Sequence, residues 1–298
     1  MTEFDSESPV RYFAGEGMSM SIPLSLFRFR LTPACAGVLC VAGILALLLP
    51  AEAAAQARRG KITVRYENVS FEFDAALSKD YLAETAPAVP LEQKDDKPDG
   101  VAPRHTVISL RGSYAAGLRR DASSAFVVPR IYVYPLSDPN DQKFDEEFPT
   151  TRQAAVDLAR LLARRAGAFT DEIPFLPWFD EDELFIGRKK FIRFRNGRGF
   201  MFLTQCGQES SAVNNAELLY VFQGMTDDNA WYISAVFPVA AQGFPTTGKI
   251  DNEAEFSARY AGYIRQTTDR LNRLPARGFT PDLHLLESLV RSLRVSAH

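Results

Sequence analysis

The chain has 298 residues, of which 46% are hydrophobic and 24% are charged, and its formal net charge is -3. This composition is typical of a globular protein. The chain has no long basic run that would neutralise the phosphates of a nucleic acid, so we expect no nucleic-acid partner.

The first 55 residues have the layout of a secretory signal peptide. Two arginines precede an apolar run at 34–49, and small residues follow it. The run is shorter than the ~20 residues of a membrane-spanning helix. We expect a Sec-type signal cleaved after Ala55 or after Ala57, which leaves the protein periplasmic or secreted and in contact with the membrane only transiently. The alternative is that the segment is retained as an N-terminal anchor. Residues 1–17 do not resemble a signal peptide, which suggests that translation starts later, at Met18 or Met20.

Two of the three cysteines lie in this segment, so Cys206 is alone in the mature chain and no internal disulfide can form. An apolar core must then stabilise the protein. We expect residues 56–298 to fold as a single domain.

The mature chain begins with patterns typical of strands. Apolar and polar residues alternate at 61–74, and the ranges 105–112 and 125–135 are two further strand candidates. The range 125–135 contains two prolines that favour a sheet edge or a bulge. The range 84–104 is rich in proline and charge, which predicts a surface loop. A threonine start, a glycine end and an apolar stripe predict a helix at 150–167.

Two hairpins follow. Asn196-Gly197 joins two alternating runs and predicts a type I′ turn, in which both central residues have positive φ. The second hairpin spans 214–239 and contains the polar turn 226–229. Its strands carry apolar residues on both faces, which predicts a central hairpin that is covered on both sides.

Two amphipathic helices complete the chain. Asn252 caps the first, and the second begins after Thr280 with Pro281 in its first turn. The order of elements predicts an α+β fold, in which amphipathic helices pack on a mostly antiparallel sheet and two of them are C-terminal.

The mature chain has no recognisable catalytic or metal-binding motif. His105, His284 and His298 lack the spacing of zinc ligands, and phosphate-binding glycine loops are absent. We therefore predict no catalytic residue, no metal and no cofactor. A nucleophile pair of Cys206 with His105 is the open alternative, and a buried thiol at a strand end is the favoured interpretation.

Two acidic clusters offer oxygen ligands for calcium, but neither has the spacing of a dedicated calcium loop. The residues from Asp180 to Glu183 follow an aromatic loop, and 227–229 lie in the second hairpin turn. We interpret the first cluster as a solvated helix start and the second as turn residues.

The candidate ligand-binding residues are Trp178, Glu217, Gln223 and Trp231. Trp178 belongs to an aromatic loop that either lines a groove or closes the core, and the others lie on or near the second hairpin. A pocket flanked by these side chains would bind a ligand, whereas amides buried without a pocket would belong to a hydrogen-bonded network. A strip of basic residues along the first hairpin is interpreted as a solvated sheet face rather than an anion site, and its members are Arg188, Lys189, Arg193, Arg195 and Arg198.

The segments NGRGFMFLTQ (196–205) and NNAELLYVFQGMTDDNAWYISAVFPV (214–239) resemble a group of exported bacterial proteins without an assigned activity, and PRIYVYP and IPFLP also fit that group. The resemblance covers most of the mature chain and implies a fold and a compartment, but no reaction. Cys206 stands where the group is expected to have an aromatic residue. The layout of paired strands closed by an amphipathic helix is also similar to the PsbP/Mog1-like α/β sandwich, as an analogy of layout alone.

These observations favour an exported, non-catalytic domain that binds or scaffolds an unknown envelope component or small ligand. One alternative is a hydrolase that combines Glu217 with Asp227 or Asp180, and it requires carboxyl groups roughly 5–10 Å apart. The other alternative is a calcium-steadied adhesion or sensor module at 180–183.

Overall fold

A seven-stranded antiparallel sheet lies at the centre of the structure. The computed structural model describes residues 60–96, 100–112, 114, 128–138, 143–164, 172–178, 181–207 and 210–296. These residues belong to one compact unit, and the predicted signal peptide lies outside them. Antiparallel sheets combine here with α-helices, two of which are C-terminal, so the predicted α+β class is confirmed.

The described strands are β1 (Lys61–Tyr66), β2 (Val69–Asp74), β3 (Asp80–Ala86), β4 (His105–Arg111), β5 (Arg130–Pro135), β6 (Asp182–Glu183), β7 (Gly187–Phe194), β8 (Gly197–Thr204), β9 (Cys206–Gly207), β10 (Leu219–Thr226), β11 (Trp231–Pro238), β12 (Ala240–Ala241), β13 (Phe279–Thr280) and β14 (Arg294–Val295). The described α-helices are α1 (Phe144–Glu147), α2 (Pro149–Ala163), α3 (Glu253–Arg273) and α4 (Leu283–Ser292).

The strand order of the large sheet is β3-β4-β5-β11-β10-β8-β7. A smaller sheet has the order β1-β2-β14, and the pairs β12-β13 and β6-β9 are separate. Neighbouring strands of the large sheet are antiparallel throughout. Strands β10 and β11 therefore lie in its interior, which confirms the central hairpin predicted from 214–239.

The large sheet is covered on both faces. On one face, which we call the α2 face, helix α2 and the segment 172–178 pack on Val221 and Tyr232. On the other, the α4 face, helix α4 and the smaller sheet pack on Phe222 and Ile233. Each large apolar side chain buried in this way contributes about 1.5–3 kcal/mol, so the alternation along the hairpin supports two cores.

The predicted hairpin at Asn196-Gly197 exists, but the predicted type I′ turn is wrong. Phe194 pairs with Gly197, so Arg195 and Asn196 are the central residues, and neither has positive φ. Gly197 is required for space, because a Cβ there would lie 2.3 Å from a backbone oxygen of β10. The Asn196 side chain accepts a hydrogen bond from the Val295 N–H at 3.2 Å and donates one to its carbonyl oxygen at 2.5 Å.

Three other elements differ from the prediction. The range 61–74 is a hairpin whose turn places Glu67 at φ 47°, rather than one strand. The prolines around β5 do not put it at an edge, because they lie at its two ends, where the ladder does not need their N–H. The last helix begins at Leu283 with Asp282 as its cap, because Thr280 belongs to β13.

The range 84–104 begins within β3 and includes a 3-10 helix at Leu91–Asp96. A bridge between Val89 and Ala102 brings its two arms together. Within the described parts of the chain, no helix combines the length and the apolar composition needed to cross a bilayer.

Candidate functional site

The four predicted ligand-binding residues do not converge on one pocket. Gln223 is fully buried on the α2 face, whereas Trp231 packs into the core of the α4 face. Glu217 precedes β10, and Trp178 is 52% exposed at the end of the segment 172–178. Because Gln223 and Trp231 lie on opposite faces of the sheet, they do not line a common cavity.

Gln223 belongs to a neutral cluster that fastens the segment 172–178 to the sheet. Its amide nitrogen donates to the Leu176 carbonyl oxygen at 3.2 Å and to the Ser234 hydroxyl at 3.0 Å. Its amide oxygen accepts from the Tyr232 hydroxyl at 2.8 Å and from the Leu176 N–H at 3.4 Å. All four hydrogen-bonding positions of the amide are used, so this side chain has nothing left for a ligand.

Glu217 belongs to a second network, which holds the segment before β10. Its Oε2 accepts from Gln205 Nε2 at 2.8 Å and from Asn214 Nδ2 at 2.9 Å. The Asn214 N–H in turn donates to Gln205 Oε1 at 3.0 Å. The Glu217 carboxylate and these amides therefore form a hydrogen-bonded network that holds the segment before β10 in place. A network of this kind was predicted for the amides in this region.

Two of the carboxylates proposed for a hydrolase, those of Glu217 and Asp227, are far apart. Glu217 precedes the eight-residue strand β10 and Asp227 follows it. At ~3.3 Å per residue, that strand alone separates them by about 23 Å, too far for joint attack on one bond. Asp227 instead pairs with Arg193 at 3.2 Å and with Arg198 at 2.7 Å. The pair Glu217 and Asp227 is therefore excluded as a catalytic dyad.

The turn at 226–229 uses its own polar groups. Asp228 Oδ1 accepts from the Thr226 hydroxyl at 2.5 Å and from the Ala230 N–H at 3.0 Å. The hydrogen bond from Thr226 is the main reason that the pKa of Asp228 is lowered. Asn229 has φ 56°, a left-handed conformation that asparagine tolerates. The turn geometry accounts for these residues, as predicted.

The acidic stretch before β7 is not a helix start, so that interpretation is wrong. Asp182 and Glu183 form β6 and pair with β9, while Asp180 lies outside the described residues. Glu183 Oε1 is buried and has no hydrogen-bond partner among the residues that the structure describes. Burial, and to a smaller extent the Asp182 carboxylate, raises the pKa of Glu183 to about 7. In the described ranges, no group of three or more His, Cys, Asp or Glu side chains is arranged to hold a metal ion.

Cys206 and His105 do not form a nucleophile pair. Cys206 lies two residues after the last residue of β8, and His105 is the first residue of β4. Three strands lie between β4 and β8 in the large sheet. At ~4.8 Å per strand, the lateral separation is about 19 Å. Burial, and then the nearby Glu183 carboxylate, raises the pKa of the Cys206 thiol, which removes the reactive thiolate.

A pocket of about 440 Å³ that the sequence did not predict opens beside β7, the edge strand of the large sheet. Strand β7, the end of α3 and the first half of α4 supply most of its walls. It is lined by Ile186, Arg188, Lys189, Lys190, Tyr220, Asn272, His284 and Glu287.

A β-bulge shapes this pocket. The pairing of β7 with β8 shifts between Gly187 and Lys190, and Arg188 adopts the left-handed φ of 47°. The Arg188 N–H donates to Asn272 Oδ1 at 2.6 Å, and its guanidinium donates to carbonyl oxygens at the end of α3. These bonds compensate a strained backbone and neutralise the negative end of the α3 dipole. Bulges and strained residues are concentrated at functional sites.

The centre of the pocket wall is the Glu287 carboxylate. Its Oε1 accepts from the Tyr220 hydroxyl at 3.1 Å, and its Oε2 accepts from Lys190 Nζ at 2.5 Å. His284 Nδ1 lies 4.0 Å from the same Oε2. Burial, followed by the Glu287 charge, raises the pKa of Tyr220, so the phenol stays protonated and acts as a donor.

A second pocket of about 350 Å³ lies between α2 and 172–174. Asp157 and Glu172 balance Arg160 and Arg164 in its walls, and Asp157 pairs with Arg160 at 2.8 Å. With its charges balanced, this pocket has less to attract a charged ligand than the one beside β7.

Sequence reasoning missed Lys190 and Glu287, although each leaves a local signal. Glu287 falls on the stripe of Leu283 and Val290, where a carboxylate indicates a buried partner. Lys190 shares its strand face with the buried Ile192 in the same way. Their pairing was not visible, because 97 residues separate them.

The basic residues between 188 and 198 fall into two groups. Arg193 and Arg198 pair with Asp227 at the far end of the hairpin, whereas Arg188, Lys189 and Lys190 line the pocket. The interpretation as a solvated sheet face therefore fits one end of the strip only.

No protein-family model, curated protein or solved structure gives a significant match to this chain.

Proposed function

We propose that this protein is an exported binding domain whose ligand site is the pocket beside β7. The observation that carries this proposal is the Lys190–Glu287–Tyr220 cluster in the pocket wall. A carboxylate whose side chain is 10% exposed holds a lysine and a tyrosine in fixed positions next to an open volume. Preorganised polar groups beside a concavity are typical of ligand sites.

The chemistry of the cluster supports binding more than catalysis. A general acid or base works best when its pKa is near the ambient pH, but the pKa of Tyr220 is displaced upwards, away from that range. Among the described residues that line the pocket, none is a serine, threonine or cysteine that could act as a hydroxyl or thiol nucleophile. The cluster is therefore arranged for hydrogen-bond donation to a ligand rather than for attack by a hydroxyl or a thiol.

Export is supported by the layout of the first 55 residues and by the resemblance to exported bacterial proteins. Expression of the full chain in a bacterial host, followed by N-terminal sequencing of the extracytoplasmic fraction, tests it. We expect a mature protein that begins at Gln56 or Arg58. A full-length chain confined to the cytoplasm would contradict export.

The binding site is tested by screening small polar molecules against the isotope-labelled protein by NMR. We expect a bound molecule to shift the backbone amide signals of Lys190, Tyr220 and Glu287 together. Shifts confined to other surfaces would contradict the site. Turnover of an ester, glycan or peptide substrate by the purified protein would contradict the non-catalytic function.

A further inference from the structure

We infer that the ligand of the pocket beside β7 carries an oxyanion group, that is, a carboxylate or a phosphate. This inference rests on the proposed binding function. The basic side chains of Arg188 and Lys190 line the pocket, and Glu287 supplies the one carboxylate among the described residues of its lining. This excess of positive charge attracts anions and disfavours cationic ligands.

Glu287 is not open to a ligand. Its side chain is only 10% exposed, and each carboxylate oxygen already accepts a hydrogen bond, one from Tyr220 and one from Lys190. With so little of its side chain exposed and its charge already paired with Lys190, this carboxylate offers little accessible surface to a ligand that mainly donates hydrogen bonds. The role of Glu287 is to hold two donors in place.

Lys190 keeps donors for a ligand. Its ammonium group has three N–H bonds, and among the described residues Glu287 is its one hydrogen-bond partner. The side chain is 42% exposed, so the remaining N–H groups are accessible. A charge-assisted hydrogen bond to an oxyanion is about twice as strong as a neutral one, which makes Lys190 the main recognition group.

Asn272 supplies a second donor. Its Oδ1 accepts from the Arg188 N–H at 2.6 Å, and because a backbone N–H can only donate, this contact fixes the orientation of the amide. The Nδ2 group has no partner within the described ranges, although it belongs to a side chain in the pocket wall. The bulge at Arg188 thus orients Asn272 with its nitrogen unused.

The open donors define the ligand class. Lys190 on β7 and Asn272 on α3 both offer N–H groups to the pocket. The volume of about 440 Å³ suits a small molecule. A neutral polyol would leave its own hydroxyl donors poorly matched, whereas a carboxylate or phosphate accepts from every side.

The test is a titration of the purified protein with inorganic phosphate, succinate and glycerol at low ionic strength, followed by calorimetry and NMR. We expect phosphate and succinate to shift the amide signals of Lys190 and Glu287, and glycerol to leave them unchanged. Lys190→Gln should weaken phosphate binding by about tenfold or more, because a charge-assisted bond is lost. Its amide can still donate to Glu287, so the fold should be kept.

Two variants serve as controls. Lys190→Arg keeps the positive charge and should retain binding within roughly threefold. Arg193→Gln removes a basic residue from the same strand outside the pocket, and should leave phosphate binding unchanged. Circular dichroism and thermal melting of each variant confirm that it is folded.

The outcomes separate the two proposals. Binding of glycerol in preference to phosphate, with shifts at Lys190, would overturn the oxyanion inference and keep the binding site. Equal phosphate affinity of Lys190→Gln and the unaltered protein would also overturn the inference. If no probe in this titration or in the wider screen shifts the pocket amides, both proposals fail. Vesicles containing phosphatidylglycerol, compared with phosphatidylcholine alone, show whether the oxyanion comes from a lipid headgroup or a free molecule.

Discussion

The central hairpin presents one polar cluster to each face of the large sheet, and the two clusters differ in chemistry. On the α2 face, Tyr232 joins Gln223 and Ser234 in a neutral cluster. On the α4 face, Tyr220 joins Glu287 and Lys190 in a charged cluster. Each cluster includes a tyrosine from an interior strand, and the charged cluster supplies its own side chains to the wall of the pocket beside β7.

The difference lies in how completely the hydrogen bonds are satisfied. In the neutral cluster, Gln223 uses all its donors and acceptors, and the segment 172–178 excludes water above it. In the charged cluster, Lys190 and Asn272 retain unused donors. A fully satisfied buried network stabilises one conformation, whereas unused donors beside a cavity provide binding capacity.

Position in the sheet explains why the two clusters diverge. Gln223 lies on an interior strand whose neighbours complete the ladder on both sides. The charged cluster reaches β7, an edge strand, where the bulge at Arg188 turns a backbone N–H away from the ladder and towards α3. The edge of the sheet therefore permits an opening that its centre does not.

The largest expected effect tests the neutral cluster. Gln223→Ala removes hydrogen bonds to Leu176, Ser234 and Tyr232 and leaves a cavity, so the free energy of unfolding should fall by about 3–4 kcal/mol. Urea denaturation measures the change. Hydrogen exchange at the Leu176 amide should accelerate, because its acceptor is gone.

Gln223→Met is the matched control, since it keeps most of the volume but none of the hydrogen bonds. We expect the free energy of unfolding of this variant to fall by about 2 kcal/mol. The additional loss in Gln223→Ala then measures the cost of the cavity. A loss below about 0.5 kcal/mol for the methionine variant would show that packing alone fastens the segment 172–178, against the structural role assigned to the amide.

The next largest effect concerns charge near the neutral cluster. Glu183 is partly buried near Tyr232, with its Oε1 atom shielded from solvent, and its pKa is about 7 in the fold against an ordinary value of 4.5. The folded protein therefore keeps a proton that the unfolded chain releases, so stability falls as pH rises from about 4.5 and the loss is complete above about 7. The variant Glu183→Gln should not show this loss of stability with rising pH, because glutamine does not ionise.

We expect the stabilisation of Glu183→Gln over the unaltered protein to be about 2–3 kcal/mol larger at about pH 8 than at about pH 5. Urea denaturation at both pH values measures it. Asp182→Asn is the control, and most of the pH dependence should survive in it, because burial is the larger cause of the raised pKa. A difference that does not vary with pH would show that Glu183 is solvated in the fold.

Features that depend on interactions between residues close in sequence could be predicted from the sequence pattern. Apolar alternation predicted the interior hairpin, because strands buried on both faces require it. Asn252 was predicted as a helix cap, and its side chain accepts from the Glu255 N–H at 3.2 Å. These features are encoded within a few residues of one another.

Features set by distant packing were not predicted. The turn at Arg195 and Asn196 is shifted by one residue, because close contact of Gly197 with β10 fixes the register of β8. The pocket depends on Lys190 and Glu287, which lie on different elements and meet through the packing of α4 on β7. Glu287 and Lys190 each interrupt an apolar pattern, so each can be singled out from the sequence. The local sequence does not predict that the two side chains contact each other.

The smallest expected effect compares the two tyrosines directly. Tyr232→Phe leaves Gln223 Oε1 with only the longer 3.4 Å bond from Leu176, so it should cost about 1–2 kcal/mol. Tyr220→Phe leaves Glu287 with Lys190, and should cost about 1 kcal/mol or less. After Tyr220→Phe the carboxylate depends on one partly exposed lysine, so added salt should lower the stability of this variant more than that of Tyr232→Phe. Equal costs with equal salt dependence, measured by urea denaturation at low and high salt, would show that the two clusters stabilise the fold in the same way.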